Sequence, residues 1–215
     1  MGRKQFGKPL AVNDVKPFCY ILCEGIETEL NYFKALVKSA KVSHLNCKFP
    51  QEEKKQNREK SKIKDGAAAI SLLNEAKELQ KARGLEDLAI YWLVFDRDKD
   101  TNFPDQLSRV FQTKGIHIAF SNPCFEVWFL YHFKEDCSGF MNCKQVRASL
   151  KEHLPNYQKN DPQLYETLKS TRPTAIKNAQ RFHQNAIETK PVNKPEWELE
   201  GISTVYRLVE ALLAS

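Results

Sequence analysis

Residues 89–100 read AIYWLVFDRDKD, an apolar run rich in β-branched and aromatic side chains that stops abruptly at three alternating aspartates. A run this short and this aromatic reads as a strand buried on both faces of a parallel sheet rather than as a helix. Asp96, Asp98 and Asp100 then fall at or just past the carboxyl end of a central strand, the edge where open α/β sheets receive their ligands. Carboxylates crowded at such an edge repel one another unless a cation lies between them, and an all-oxygen set suits Mg²⁺ or Mn²⁺. The competing reading is a solvated turn in which Arg97 and Lys99 neutralise the aspartates. An EF-hand loop is excluded: counted from Asp96, the pattern needs Gly at its sixth position and Glu at its twelfth, where this chain has Thr101 and Leu107.

Upstream, Phe18 to Cys23 (FCYILC) forms a second buried-strand candidate, and it also ends in an acid, Glu24, followed at once by Gly25. Glycine there lets the chain turn sharply and brings backbone close to the site. Thr28 and Glu29 open an amphipathic helix carrying Leu30, Tyr32, Phe33, Leu36 and Val37. Leu45 to Phe49 predicts a short strand. Gln51 to Asp65 has almost no apolar residue and reads as an exposed loop or a solvated helix start. From Gly66 a helix with the stripe Ala69, Leu72, Leu73, Ala76 and Leu79 runs to just before Gly84. Pro104 to Lys114 predicts another helix opened by proline, and Gly115 to Phe120 a fourth strand. This rhythm argues a parallel sheet with right-handed crossovers.

Ser121 to Phe133 (SNPCFEVWFLYHF) predicts a helix begun at Pro123, capped by Ser121 or Asn122, with Phe125, Trp128, Phe129 and Tyr131 or His132 forming its apolar band. Glu126 lies in the first turn of that helix, directly after the fourth strand, and so faces the same edge as Glu24 and the aspartates; alternatively it only favours the helix dipole. His117 and His132 have no ligand partner at fixed spacing and read as structural or supporting residues. Beyond Lys134 the chain predicts helices over 144–153, 163–170, 174–188 and 203–213, punctuated by prolines and increasingly basic. Lys144, Arg147, Lys151, Lys169, Arg172, Lys177 and Arg181 are candidates for a phosphate-binding surface or for a solvated helix face. The organisation expected is a basic arm over 1–17, an α/β domain over 18–133 and a helical extension over 134–215 packed on the same domain.

A chain of 215 residues with 41% hydrophobic content buries a sizeable core without needing a second independent domain. Its net charge of +6 favours an anionic partner such as nucleic acid, while the candidate site itself is acidic, an arrangement that suits a metal-using enzyme acting on a polyanion. The first residues, MGRKQFGKPL, lack the apolar core of a secretory signal, and no run approaches transmembrane length, so a cytoplasmic protein without membrane contact is expected. Six cysteines without paired CxxC spacing indicate neither a zinc ribbon nor a disulfide framework.

Four stretches carry a resemblance. CEGIETELNYF (23–33), FDRDKD (95–100), SNPCFEVWFLYHF (121–133) and STVYRLVEALL (203–213) resemble the successive motifs of the RloB-like family, proteins found beside restriction–modification genes. The first two are also what the Toprim fold uses, with one strand ending in Glu and a later one in Asp-x-Asp; that fold is shared by topoisomerases, bacterial primases, OLD-family nucleases and some defence-associated tRNA nucleases. The resemblance implies an α/β class with a Toprim-like parallel sheet flanked by helices and a C-terminal helical extension. It implies Glu24 as the acid/base residue and also a metal ligand, Asp96 and Asp98 as the metal-binding pair acting with it in catalysis, and Asp100 as a further ligand. Gly25, Glu29, Asn122 and Glu126 would support them. It also implies a defence role, with a partner protein from the same locus.

The residues suit that chemistry. Asp96 and Asp98 would hold a divalent ion against a phosphodiester oxygen while Glu24, on the adjoining strand end, accepts or donates the proton; no protein nucleophile is needed. Topoisomerase activity requires a tyrosine on a separate module, and primase activity requires template- and nucleotide-binding parts; the sequence displays neither. Hydrolysis of nucleic acid, RNA or DNA, is the reading left. Two other classes compete with it. A haloacid-dehalogenase-type phosphatase also carries Asp-x-Asp after a buried strand, although such enzymes usually begin with that strand and would leave Glu24 without a role. An inert nucleic-acid-binding module is the other.

Asp98→Asn is expected to melt at or above the wild-type temperature in chelator, because it removes one of several converging like charges while keeping the shape of the side chain. Added Mn²⁺ should reverse the order, since metal at a hundredfold over its Kd adds roughly 2.7 kcal/mol to the wild type. Equal melting shifts in the two proteins would remove Asp98 from the site.

Overall fold

The computed structural model describes residues 16–50, 68–83, 89–97 and 104–214. Asp98, Asp100, the loop over 51–65 and all but the last two residues of the arm over 1–17 lie outside the described residues. The strands are β1 (Phe18–Cys23), β2 (Asn46–Lys48), β3 (Ala89–Asp96) and β4 (Ile116–Ser121), joined through helices α1 (Thr28–Ser39), α2 (Ala68–Arg83) and α3 (Pro104–Gln112). After β4 come α4 (Glu126–Leu130), α5 (Cys143–His153), α6 (Leu164–Leu168), α7 (Arg172–Thr189) and α8 (Val205–Leu213), with short 3₁₀ turns at Lys169–Thr171 and Glu196–Glu198. Among the described residues the sheet has the order β2-β1-β3-β4, and every neighbouring pair is parallel. The chain is therefore an α/β protein with a parallel sheet flanked by helices and helices C-terminal to it, consistent with the Toprim-like arrangement expected.

Two-residue alternation divides the strands between two cores. Cys19, Ile21, Cys23, Trp92, Val94 and Ala119 face one side with Phe33 and Leu36 of α1 and the apolar faces of α4 to α8. Tyr20, Leu22, Tyr91, Leu93, Phe95 and Phe120 face the other, against Leu72, Leu73 and Ala76 of α2 and Leu107 and Val110 of α3. Strands buried on both faces explain why the sequence shows unbroken apolar runs. The step from β1 to β2 and the step from β3 to β4 run in opposite directions across the sheet. Their helices lie on opposite faces, which gives both crossovers the same hand. The direction of winding thus reverses between β1 and β3.

The outer edge of β4 is closed at its carboxyl end by residues 201–204. Ser121 and Ser203 form an antiparallel bridge, Thr204 N–H donates to the Phe120 carbonyl at 2.8 Å, and Asn122 N–H to the Ile202 carbonyl at 2.8 Å. Gly201 sits in the left-handed region at φ +72, and a side chain there would overlap the Cys137 backbone, so both conformation and space demand glycine. One apolar core joins the α/β part to the C-terminal helices. All six cysteines are free. No helix among the described residues is long and apolar enough to cross a membrane.

The segment after β4 departs from its expected form. Pro123 does not open a helix; the Asn122–Pro123 peptide is cis, and α4 begins only at Glu126. Ser121 is the last residue of β4, and the Asn122 amide donates to the Trp197 and Leu199 carbonyls at 3.2 and 3.0 Å, so neither residue caps α4. His117 stacks on Trp92 with ring centroids 4.9 Å apart. His132 is hydrogen-bonded through Nδ1 to Thr171 Oγ1 at 2.8 Å, and burial pushes its pKa down to about 3. Its ring ties the end of α4 to the 3₁₀ turn as a neutral group.

Trp128 is fully buried, edge-on to Tyr32 and His132. Trp128→Ala should cost about 3–5 kcal/mol in a urea unfolding titration. A loss within about 0.5 kcal/mol, the range of ordinary surface substitutions, would place α4 outside the core.

Candidate active site

The site is built on the gap between the carboxyl ends of β1 and β3. Cys23, the last residue of β1, pairs with Val94. Glu24 extends the ladder by one hydrogen bond, its N–H donating to the Val94 carbonyl at 2.8 Å. The Glu24 carboxylate then turns across to β3, where Oε2 accepts from the Asp96 N–H at 3.0 Å. On the far side of β3 the Arg97 N–H donates to the Ser121 carbonyl at 2.7 Å. Glu24 and Asp96 therefore stand together where the winding reverses, the place in open α/β sheets where a crevice forms.

Helix α1 brings a third acid back over the same edge. Glu29, in its first turn, is buried at 7% exposure. Gly25 makes this possible through space rather than through a special turn: its backbone is not left-handed, and a Cβ there would overlap the Glu29 carboxylate. Next to it, Thr28 Oγ1 donates to Asn160 Oδ1 at 2.6 Å, linking α1 to the loop between α5 and α6.

A fourth acid comes from α4. Glu126 is 3% exposed, and its Oε1 accepts from Arg147 Nη1 at 3.3 Å and from the Tyr157 hydroxyl at 3.2 Å. Arg147 sits on α5, whose first turn is fixed by Asn142 Oδ1 accepting from the Gln145 N–H at 3.0 Å. Glu126 is thus placed by a partly buried ion pair and a phenol, not by the helix dipole alone.

Among the described residues, then, four carboxyl groups share one strand edge. Burial, and then the charges of Glu29, Glu24 and Glu126, hold the Asp96 carboxyl well above the ordinary aspartate range. Its Oδ1 is shut off from solvent and has no hydrogen-bond partner among the described residues. Burial likewise pushes Glu29 from the ordinary 4.5 up to about 7, with Glu126 and Glu24 adding to the rise; a bond to its own backbone and the charge of Lys159 oppose it. An unpartnered carboxylate oxygen beside three further carboxyl groups fits a hard divalent cation in chemistry, although the thiols of Cys124 and Cys143 also lie near enough to act on it. As the side chains stand, no group of three or more His, Cys, Asp or Glu among the described residues is arranged to hold a metal. Asp98 and Asp100 lie outside those residues.

The structure brings together Glu24, Gly25, Glu29, Asp96 and Glu126. Asn122 is committed instead to the Trp197–Leu199 segment. Tyr157, Lys159 and Asn160, which the sequence reading passed over, reach the cluster from a loop more than 100 residues after Glu24 in the chain. No motif spacing marks them. Of the basic residues considered for a phosphate surface, Lys169 pairs with Glu166 at 3.4 Å, Arg181 with Glu135 at 2.9 Å, and Arg172 donates to the Tyr165 hydroxyl at 2.7 Å.

The model of one protein family, described as RloB-like protein, matches residues 19–212. No curated protein and no solved structure matches the chain.

Because Glu29 is raised to about 7 in the folded state, folding favours its protonated form. The wild type is therefore free of this burden below about pH 4.5, takes it on as pH rises from there to about 7, and carries it in full and unchanging above that. In chelator, Glu29→Gln should exceed the wild type in stability by up to about 3 kcal/mol well above pH 7, the gap closing as pH falls to the ordinary glutamate range. Urea titrations across that range measure it. A gap that does not change with pH would mean that Glu29 is not held as a buried acid.

Proposed function

The chain belongs to the RloB-like protein family, and from that premise we propose that it is a divalent-metal-dependent nuclease with a Toprim-type site, hydrolysing phosphodiester bonds of nucleic acid in defence against phage. The observation that carries the reading is the hydrogen bond from the Asp96 N–H to Glu24 Oε2, which couples the two acid-bearing strand ends. It gives Glu24 a place beside Asp96 that a haloacid-dehalogenase-type phosphatase would leave without use.

Glu24, Asp96 and Glu29 would hold Mg²⁺ or Mn²⁺, with Asp98 and Asp100 as further ligands. The bound ion would supply charge neutralisation at a phosphodiester oxygen and a water of lowered pKa. Glu24, whose carboxylate is oriented by the Asp96 backbone N–H, would accept or donate the proton that must move as the leaving oxygen departs. Glu126, gripped by Arg147 and Tyr157, borders the same space and fixes the negative potential that draws a cation in. The basic balance of the chain outside this edge supports a polyanionic substrate.

Pure protein incubated with total RNA and with plasmid DNA, in EDTA, Mg²⁺ or Mn²⁺, tests the proposal. Cleavage of at least one of them should appear only with metal. Glu24→Gln should lower the rate about a hundredfold or more, the usual loss for a general acid or base, and Asp96→Asn should weaken Mn²⁺ binding in a titration followed by thermal melting. Chelator-resistant cleavage, or none of either nucleic acid under any condition, would sink the nuclease reading.

A further inference from the structure

The acidic edge is bordered by two cations that come from the C-terminal helical part. Arg147 donates to Glu126 Oε1 at 3.3 Å and still leaves 39% of its side chain exposed. That bond uses one of the five N–H donors of a guanidinium. Lys159 is exposed on the loop between α5 and α6, acts electrostatically on buried Glu29, and makes no hydrogen bond or ion pair among the described residues. The loop is tied down on both sides of it. The Tyr157 hydroxyl donates to Glu126 at 3.2 Å, and Asn160 Oδ1 accepts from Thr28 Oγ1 at 2.6 Å. Asn160 itself adopts φ 76, a left-handed backbone that asparagine tolerates better than most residues.

Each cation thus stands beside one of the two buried glutamates, on an element hydrogen-bonded to the site, while keeping donors turned to solvent. A phosphodiester approaching a cluster of carboxyl groups meets repulsion, and the nearest fixed positive charges decide where it settles. Asp96 Oδ1, enclosed and without a hydrogen-bond partner among the described residues, leaves the edge short of a closed ion-pair network.

We propose that Arg147 and Lys159 grip the phosphate backbone of the nucleic-acid strand and hold it over the carboxyl ends of β1 and β3. This rests on the nuclease reading above for its substrate class. Arg147 supplies a planar fork that matches phosphate oxygens, and Lys159 a mobile point charge. Because both are anchored through the residues that hold Glu126 and α1, placing the strand and placing the acids become one geometric act.

The test uses the full chain carrying Glu24→Gln, which slows turnover, at constant Mg²⁺. Affinity for labelled single-stranded RNA and DNA oligonucleotides is followed by fluorescence anisotropy over a range of KCl. Lys159→Gln and Arg147→Gln should each make the plot of log affinity against log salt shallower by about 0.7, the single-strand value for one lost phosphate contact, and together by about twice that. Lys81→Gln, exposed on α2 on the opposite face of the sheet, should leave the slope unchanged. Arg147→Gln strips the ion pair from buried Glu126 and endangers folding; Lys159→Gln, at an exposed position, then decides alone. An unchanged slope in Lys159→Gln, or an equal loss in Lys81→Gln, overturns the proposal. Absence of binding to either oligonucleotide overturns it together with the nucleic-acid reading. The expected slopes, with no cleavage by the otherwise unaltered chain under any metal, would remove the nuclease activity and leave the grip in place.

Discussion

The crowding of like charge at the ends of β1 and β3 is the constraint around which the rest of the molecule is arranged. A sheet whose strands are buried on both faces offers little water at its carboxyl edge, yet Glu24, Glu29, Asp96 and Glu126 are all brought there. Carboxyl groups in such a setting oppose folding. The surrounding architecture offsets that with particular devices: the Asp96 backbone N–H on Glu24, the empty space at Gly25 for Glu29, and Arg147 with Tyr157 on Glu126. None of these improves the apolar core. Under the proposed function they are the support of a site in which stability is given up for geometry.

Much of this was legible in the chain because two signals coincide. β1 and β3 are apolar runs that stop at acids, so their burial and their site residues are read from the same letters. α2 is likewise legible from its stripe, of which Ala69, Leu72, Leu73 and Ala76 are buried. The corner after β4 was misread because Pro123 has two common uses, the first turn of a helix and a bend, and nothing local separates them; contacts with residues 197–202 decide it. Glu126 was placed at the right edge, but its partners were invisible. Tyr157 and Asn160 act only because a loop folds back across a long stretch of chain, and loops carry function on positions that no periodicity announces.

The C-terminal helices change meaning in the same way. Read as letters, they form a run of cations suited to phosphate. In the fold, Lys169, Arg172 and Arg181 each meet an acid or a phenol of their own part of the structure, while Arg147 turns to the acidic edge. A general basic character resolves into a few charges whose position relative to the carboxylates is fixed. The helical part is therefore not an appendage to the site: it supplies Tyr157 and Arg147 to it, and its apolar faces share one core with β1 and β3.

The closure of β4 by residues 201–204 bears on how the protein is made. A chain emerging from the ribosome presents its sheet before those residues exist, so the carboxyl end of β4 stands for a time as an unpaired edge beside the end of β3 that carries Asp96. Unpaired edges recruit strands from other chains, and the hazard is greatest in incompletely synthesised products. A ribosome that stalls before Gly201 releases a polypeptide with most of the site residues in place and the seal missing. Residues 201–204 therefore do more than complete a few hydrogen bonds: they withdraw an edge that would otherwise be open to other chains.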